Sequence, residues 1–343
     1  FFFSSRRRHT RLLTVTGVQT CALPIWDAAS TTARQTAGVD AVLSTAEFLG
    51  RQVIELSGFY LTTTKQPGTQ GGAAFGGRLN LPNDPINARL SIREVQDGYD
   101  PAVGFVDRRA YRLINPAVRY TVHTNRSPIT RRFSIEGDFS YYYDLAGTLE
   151  SRKADIQVFR TELKTSDIAE FHLLPLYERL PRPFQIAPGV TLPAGGAYSF
   201  LRRHYQLTSA TNRPVSLNAT YQDGEFYSGT RRQVTGTLSV RPYKGWLVAL
   251  GGDFNEVSLR EGRFTTRVWN ADINTQFSPF VSYVNRIQFD SVTRQLGWQA
   301  RFRWILRPGD DIFVVYTRNW TDRVTLQTLD QRGTIKIVRT LRF

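Results

Sequence analysis

The dominant pattern in this chain is an alternation of apolar and polar residues, and it is clearest between residues 294 and 320. Apolar side chains occupy every second position of one run: Leu296, Trp298, Ala300, Phe302, Trp304 and Leu306. The positions between them hold Gly297, Gln299, Arg301 and Arg303. A period of two residues is typical of a β-strand, whose successive side chains point to opposite faces. The pattern therefore predicts a strand with one aromatic face and one basic face.

A second run, residues 311–320, follows a tight turn at residues 307–310, so the two runs form a predicted hairpin. Each run has about 10 residues, the length that a tilted strand needs to cross a bilayer. About 17 runs of this period lie between residues 39 and 343, and no helical period of comparable strength interrupts them. The run at residues 168–177 contains Pro175, which argues against a regular strand there because Pro cannot donate to a sheet ladder.

The two faces of these runs predict two environments. We expect one set of polar side chains to face a water-filled lumen: Arg301, Arg303, Gln299, Asp272, Asn270, Arg286, Glu136 and Asp138. We expect aromatic side chains of the other face to contact lipid: Trp298, Phe302, Trp304, Trp269, Phe139 and Tyr141.

Both a soluble β-sandwich and a transmembrane barrel contain alternating strands. No apolar stretch approaches the roughly 20 residues of a transmembrane helix, so any membrane crossing must use strands. Short connections, often with Pro, alternate along the chain with connections that are mostly longer, at residues 65–72, 97–109, 179–198, 223–230 and 321–332. Two connections of the longer set, near Glu261 and Thr293, are short exceptions. This alternation is typical of outer-membrane barrels, in which closure also pairs every backbone group. The sequence predicts an all-β fold, a large antiparallel transmembrane β-barrel with about 16 to 18 visible strands.

The first 25 residues differ from the rest and resemble translated sequencing-adapter read-through. The rival interpretation is a signal peptide, but residues 12–18 form a poor apolar core for one. We expect residues 1–25 to be artefactual or disordered, with Cys21 carrying no information, and residues 26–343 to form the barrel. Methionine is absent, and about 17 strands is an odd number where bacterial barrels have an even one. These observations predict a fragment that is truncated at its N-terminal end.

Composition and charge narrow the expected partners. The chain has 343 residues, a net charge of +15 and 13% aromatic residues, a proportion that suits aromatic girdles at the membrane interfaces. Arginine greatly outnumbers lysine, and guanidinium groups suit three roles: ion pairs within a polar lumen, an anion-selective pore, or binding of lipopolysaccharide phosphates. The basic residues alternate with apolar ones and form no patch, which argues against nucleic-acid binding.

Catalytic and metal chemistry have little support in the sequence. Three histidines lie beyond residue 25, His123, His172 and His204, and none has the close spacing of metal ligands. An outer-membrane hydrolase needs a Ser–His pair oriented by a third polar group, and His204 near Ser199 or Ser209 is the candidate. We predict a protein that is not an enzyme and has no metal and no cofactor, with the hydrolase as the alternative.

The segment GYDPAVGFVDRR, residues 98–109, resembles a recurring signature of one protein family. The signature residues are Gly104, Phe105, Val106, Arg108 and Arg109; residues 177–180, 189–193 and 224–229 are also similar. Full-length members of that family place a carbohydrate-binding family-9-like domain before a large outer-membrane barrel of unknown function. The resemblance covers residues 36–343, so the sugar-binding function that it implies has no residues in this chain. The sequence departs from the family at residues 99–101, where Tyr-Asp-Pro replaces Phe-Asn-Pro.

The last predicted strand ends on Phe343, with Leu341, Ile337 and Ile335 at alternate positions before it and Arg339 interrupting the pattern. Outer-membrane barrels resemble one another in ending this way, so we expect this strand to be the signal for the barrel-assembly machinery. The longest connection, residues 179–198, is rich in Pro and Gly. It either folds into the mouth of the barrel or remains an exposed loop.

These observations favour a porin-like barrel of a Gram-negative outer membrane. The expected function is solute passage or, with the region upstream, glycan-related binding and uptake. Expected partners are outer-membrane lipid and lipopolysaccharide, the barrel-assembly machinery, and a glycan or small anionic solute. An outer-membrane hydrolase is the alternative, and a soluble β-sandwich binding module is a remoter one.

Overall fold

The computed structural model describes residues 18–19, 35–64, 71–101, 106–322 and 325–340, which contain strands and turns but no helix. These residues form β1 (Val18–Gln19), β2 (Gln35–Phe48), β3 (Gln52–Thr64), β4 (Ala73–Pro82), β5 (Ile86–Val95), β6 (Tyr111–His123), β7 (Thr130–Asp144), β8 (Leu149–Leu163), β9 (Ile168–Arg179), β10 (Phe184–Ala187), β11 (Val190–Leu192), β12 (Ala197–Thr208), β13 (Val215–Phe226), β14 (Gly229–Val240), β15 (Trp246–Ser258), β16 (Arg263–Ser278), β17 (Val281–Asp290), β18 (Gln295–Arg307), β19 (Asp310–Asp322) and β20 (Leu326–Val338). No helix in the described part of the chain is long and apolar enough to cross a membrane.

The strands pair in antiparallel ladders between neighbours along the chain, from β2 to β6 and again from β12 to β20. Strands β10 and β11 form a separate two-stranded sheet within the longest connection. Each run predicted from the sequence overlaps one of the strands β2–β9 or β12–β20, including β9, which contains Pro175. The predicted all-β antiparallel fold is confirmed.

Two of the predicted long connections are wrong. Strands β13 and β14 are joined by Tyr227 and Ser228 alone, where a loop of residues 223–230 was expected. Strands β19 and β20 are separated by residues 323–325 only, where a loop of residues 321–332 was expected. In both places cross-strand hydrogen bonds extend the ladder through polar residues, and apolar alternation does not reveal such extensions. Long connections do separate β5 from β6 and β9 from β12, as predicted, and most of residues 65–72 lie outside the described residues.

The chain divides into two compact units. Unit 1 comprises residues 1–122, 134–156 and 175–180, and unit 2 comprises residues 123–133, 157–174 and 181–343. Unit 1 has a small apolar core, formed by Ala74, Val95, Tyr99, Tyr111 and Leu113. Thr63 lies beside this core with 1% exposure. Its Oγ1 donates to the carbonyl of Gly72 at 3.2 Å and accepts from the Asp100 N–H at 3.3 Å, which fixes the β5–β6 connection.

The signature segment belongs to that connection. Arg109 forms an ion pair with Asp100 at 2.6 Å. Arg108 pairs with Glu150, and its guanidinium carbon lies 5.0 Å from the centre of the Tyr142 ring. Val106 packs against the apolar core, whereas Gly104 and Phe105 lie outside the described residues. The described signature residues therefore hold a long connection against unit 1.

The ladder of unit 2 places side chains in rows that cross several strands. One row consists of Leu207, Ala219, Gly236, Gly252 and Trp269. The adjacent row, on the other face, consists of Gln206, Thr220, Thr235 and Asp253. The alternation seen along each strand is thus kept from strand to strand, which gives unit 2 one apolar face and one polar face.

In unit 2 the apolar face is the more exposed of the two. Leu207 is 60% exposed, Leu250 56% and Trp269 52%. On the other face, polar side chains such as Gln206, Thr235 and Asp272 are half-buried, so they are less exposed than these apolar side chains. A soluble sheet shows the reverse, because its apolar face packs on a core and its polar face meets water. Exposed apolar side chains also occur on strands of unit 1, including Leu56 and Ile86.

Candidate functional site

The polar face of unit 2 contains a hydrogen-bonded network centred on Asp253 of β15. Gln233 donates from Nε2 to Asp253 Oδ2 at 2.8 Å, and Thr235 donates from Oγ1 to the same oxygen at 3.2 Å. Asn255 donates from Nδ2 to Asp253 Oδ1 at 2.5 Å. All three donors are neutral, so they occupy the acceptor sites of the carboxylate without neutralising its charge.

His204 of β12 belongs to the same face. Its Nδ1 lies 2.7 Å from Nε2 of Gln222, and its Nε2 lies 3.4 Å from Oε1 of Gln206. Ser199 is an odd number of residues away on the same strand, which puts it on the opposite face. Ser209 accepts the backbone N–H of Leu217 with its Oγ at 2.6 Å. The structure thus places amide side chains beside His204 and gives Ser209 a backbone partner.

Metal coordination has no matching geometry in the part of the chain that the structure describes. No group of three or more His, Cys, Asp or Glu side chains is placed there to hold an ion.

The sequence-predicted lumen residues of unit 2 share the polar face. One row crosses β16, β17 and β18 through Asp272, Arg286 and Gln299, and Arg286 Nε donates to Asp272 Oδ1 at 2.7 Å. The adjacent rows on this face contain Asn270, Arg301 and Arg303. Arg303 forms an ion pair with Asp311 at 3.1 Å, and its guanidinium carbon lies 5.4 Å from the centre of the Phe313 ring. Arg301 stacks on the same ring at 5.5 Å.

The two predicted lumen residues of unit 1 are also ion-paired. Glu136 accepts from Nε of Arg119 at 2.7 Å. Asp138 accepts from Nη2 of Arg89 at 2.7 Å and from Nδ2 of Asn115 at 2.8 Å. For these residues the simplest of the three arginine roles, pairing with carboxylates on a polar face, describes the observed geometry.

The predicted lipid-facing residues of unit 2 share its exposed apolar face. Trp298, Phe302 and Trp304 are opposite Ile287, Tyr283 and Val281 of β17. Trp269 packs edge-on against Phe254, with the ring centres 4.5 Å apart. In unit 1 the rings of Phe139 and Tyr141 stack with their centres 6.4 Å apart.

The strand predicted as the assembly signal continues this apolar face. Ile337 of β20 lies opposite Ile312, and Ile335 lies opposite Val314. Ile337 is 72% exposed. Phe343 and Leu341 lie outside the described residues.

A pair of arginines near the β13–β14 turn of unit 2 was not among the residues predicted from the sequence. Arg202 of β12 and Arg231 of β14 lie in one row of the polar face, on either side of Gly224 of β13. Their guanidinium carbons lie 5.9 Å and 5.3 Å from the centre of the Phe226 ring. The spacing along the chain gives no sign of this arrangement. Only the register of three strands, which a local pattern does not define, brings the two residues together.

The longest connection covers this end of unit 2. Leu192 of the β10–β11 hairpin is 0% exposed, and Val190 is buried. A Cβ added to Gly262, in the β15–β16 turn, would lie 2.9 Å from Val190 Cγ2, so the hairpin and this turn are in close contact. Next to the arginines the rings of Phe200 and Phe226 have centres 5.8 Å apart. Val190 and Leu192 are thus buried, whereas most other residues between 181 and 197 are exposed. Folding of this connection into the mouth or lumen of the barrel stays a prediction.

The opposite end of unit 2 is tied by Asp167. Its Oδ2 accepts from Thr165 Oγ1 and from Arg213 Nη2, both at 2.6 Å, and its Oδ1 accepts the Ala210 N–H at 3.0 Å. The hydrogen bond from Thr165, followed by those from Arg213 and Ala210, lowers the pKa of Asp167 to about 2. The carboxylate therefore links the β8–β9 turn to the β12–β13 turn.

Many antiparallel strands, an exposed apolar face and a polar face with ion pairs define a class: the fold is all-β and antiparallel, of the kind found in large outer-membrane β-barrels. A crystal structure of a mutant of the ferric enterobactin receptor PfeA from Pseudomonas aeruginosa is similar to this chain, with a TM-score of 0.50 and 9% sequence identity. The similarity covers 88% of this chain and 61% of the receptor. The chain thus spans less than two thirds of the receptor, and the likeness is one of fold. No family model matches the chain, and no curated protein does.

Proposed function

We propose that this chain is part of an outer-membrane β-barrel that binds a solute or lets it pass across the membrane. The observation that carries the proposal is the exposure of the apolar face. Leu207, Leu250 and Trp269 are more than half exposed. In water such a face has no partner, whereas in a bilayer lipid covers it and the polar face lines water.

In this proposal the two faces have the roles expected from the sequence. The aromatic residues around Trp298 and Trp269 contact lipid, and the ion-paired face around Arg286 and Asp272 lines the lumen. The fold likeness to a receptor barrel supports outer-membrane transport at a coarse level. The similar structure is, by its name, a receptor for ferric enterobactin.

Further parts of the proposal rest on sequence resemblance. The signature around Arg108 and Arg109 resembles the family with an upstream carbohydrate-binding domain, and we extend the proposed function to glycan-related uptake on that ground. The terminal strand with Ile337, Leu341 and Phe343 supports recognition by the barrel-assembly machinery. Lipid and lipopolysaccharide of the outer membrane are the partners of the exposed apolar face.

The proposal is tested by refolding the chain in detergent and comparing its gel migration with and without heating. A barrel migrates faster before heating, and its insertion into a planar bilayer produces discrete conductance steps. A chain that is monomeric in water without detergent, and that gives no steps, would contradict the proposal and favour a soluble β-sandwich.

A further inference from the structure

We infer that Arg202 and Arg231 form a binding site for a small organic anion with a carboxylate or phosphate group. The inference deepens the proposed function, on which it rests, by naming the class of solute that the polar face recognises. Three features support it. The two arginines lie in one row across β12, β13 and β14, both have neutral hydrogen-bond partners, and aromatic rings lie beside them near the β13–β14 turn.

The row places the two arginine side chains on the same face, on either side of a residue without a side chain. Arg202 and Arg231 are on β12 and β14, and the residue between them on β13 is Gly224, which has no side chain. Neighbouring strands are about 4.8 Å apart, so the two backbones are separated by about 10 Å. The two guanidinium groups converge on the Phe226 ring, at 5.9 Å and 5.3 Å from its centre, so one ligand group beside that ring can reach both.

Both guanidinium groups have neutral partners. Arg231 donates from Nε to Asn255 Oδ1 at 2.8 Å and from Nη2 to Gln233 Oε1 at 2.6 Å. Arg202 makes a long contact of 3.5 Å to Gln222 Oε1, and its Nε is buried without a hydrogen-bond partner among the described residues. A buried guanidinium without a counter-ion is unfavourable, and a bound oxyanion relieves both the missing charge and the missing hydrogen bond.

A second arginine pair on the same face shows what is missing here. Arg301 and Arg303 share the Phe313 ring in the way that Arg202 and Arg231 share the Phe226 ring. In that pair Asp311 supplies a carboxylate, 3.1 Å from Arg303. The carboxylate nearest to Arg231 along the polar face, Asp253, accepts from Gln233, Thr235 and Asn255. Asp253 thus acts on Arg231 electrostatically but is hydrogen-bonded to these neutral donors and not to the guanidinium group. A ligand oxyanion supplies the direct contact that Asp311 gives to Arg303.

The surroundings specify the class of anion. Guanidinium forks match the paired oxygens of carboxylate and phosphate groups, and two of them on opposite sides prefer a group with several acceptor oxygens. Near the β13–β14 turn the two arginines lie beside the rings of Phe200, Phe226 and Tyr227, whose centres lie 4.8 to 5.8 Å apart. A ligand with an oxyanion and an apolar or aromatic body fits both parts.

The test uses the full chain refolded in detergent, with phenyl phosphate and inorganic phosphate as probes in isothermal titration calorimetry at low chloride concentration. We expect one saturable site, with phenyl phosphate binding more tightly than inorganic phosphate. The double variant Arg202→Gln/Arg231→Gln should bind about tenfold more weakly or worse, since each charge-assisted hydrogen bond contributes appreciably. The double variant with Lys at both positions keeps the charge and loses the fork, and it should also bind at least about tenfold more weakly.

Two single variants serve as matched controls. Arg203→Gln removes an adjacent arginine on the opposite face, where Asp223 already pairs with it. Arg301→Gln removes one stacked guanidinium elsewhere on the polar face. Both should leave the affinity within about twofold, because neither residue lies in the row that contains Gly224.

Two results would overturn the inference: no saturable binding by a heat-modifiable wild-type chain, or binding that persists in the Gln double variant. Conductance is measured separately, so the site and the proposed function fail in different ways. Conductance steps without phosphate binding overturn the site and keep the barrel. Binding that is lost in the double variant of a chain that never inserts into bilayers supports the site and overturns the proposed function alone.

Discussion

Replacing Leu250 by Arg distinguishes a lipid-facing from a water-facing apolar face. Leu250 lies near the middle of β15, is 56% exposed and has Leu238 and Ala271 opposite it. Because the side chain is largely exposed, its replacement in a water-soluble sheet changes the free energy of unfolding by no more than about 0.5 kcal/mol. At the midplane of a bilayer the same replacement costs about 2–4 kcal/mol. The two environments therefore predict values that differ several-fold.

Thr237 is the matched control for this experiment. It lies opposite Gly251, the residue that follows Leu250, so it has nearly the same depth along the strands but faces the polar side. We expect Thr237→Arg to lower the free energy of unfolding by less than about 1 kcal/mol, since lumen positions tolerate charge.

Both variants are refolded into phosphatidylcholine vesicles and unfolded with guanidinium chloride, with tryptophan fluorescence as the signal. Leu250→Arg is compared with Leu250→Ala to remove the contribution of the lost leucine. A cost below about 0.5 kcal/mol for Leu250→Arg, equal to that of Thr237→Arg, would refute the assignment of the exposed face to lipid.

Three further predictions concern the ends of the strands. The pKa of Asp167 is lowered, so its hydrogen bonds stabilise the folded chain fully at pH values above the ordinary Asp pKa of about 3.9, and this stabilisation is lost as the pH falls through about 2. Asp167→Asn should remove this pH-dependent stabilisation from an acid-unfolding curve, and an unchanged curve would contradict the prediction. Leu192→Ala should cost about 2–5 kcal/mol locally and speed proteolysis within residues 181–196, and an unchanged proteolysis rate there would contradict an anchoring role for Leu192. Deleting Phe343 should lower the outer-membrane level and leave unfolded chain in the periplasm, and normal assembly would leave the strand a structural role only.

The strands and their faces were predictable because alternation is a local property. A period of two at Trp298, Phe302 and Trp304 needs no knowledge of the neighbouring strands. The polar first half of β20 lacks that period, and it becomes a strand because β19 offers it a ladder. The hairpin β10–β11 was missed for a related reason, since its four-residue and three-residue strands are too short to show a period.

The candidate anion site was not predictable, because it depends on which residues are opposite one another. Arg202 and Arg231 look like other arginines of the polar face in the sequence. What separates them from Arg286 is that Gly224 is opposite both, whereas Asp272 is opposite Arg286. Such differences follow from the register and from hydrogen bonds across strands, and alternation along one strand contains neither.

The cross-strand ion pairs have a consequence for the order of assembly. Arg286 of β17 is neutralised by Asp272 of β16, and Arg303 of β18 by Asp311 of β19. Each of these ion pairs joins two strands that are consecutive in the chain, so the carboxylate that neutralises each arginine belongs to the same hairpin. A growing sheet can then add one hairpin at a time without exposing an unpaired cation to hydrocarbon. Local neutrality of this kind lets hairpins such as β16–β17 and β18–β19 be duplicated or lost without leaving Arg286 or Arg303 unpaired.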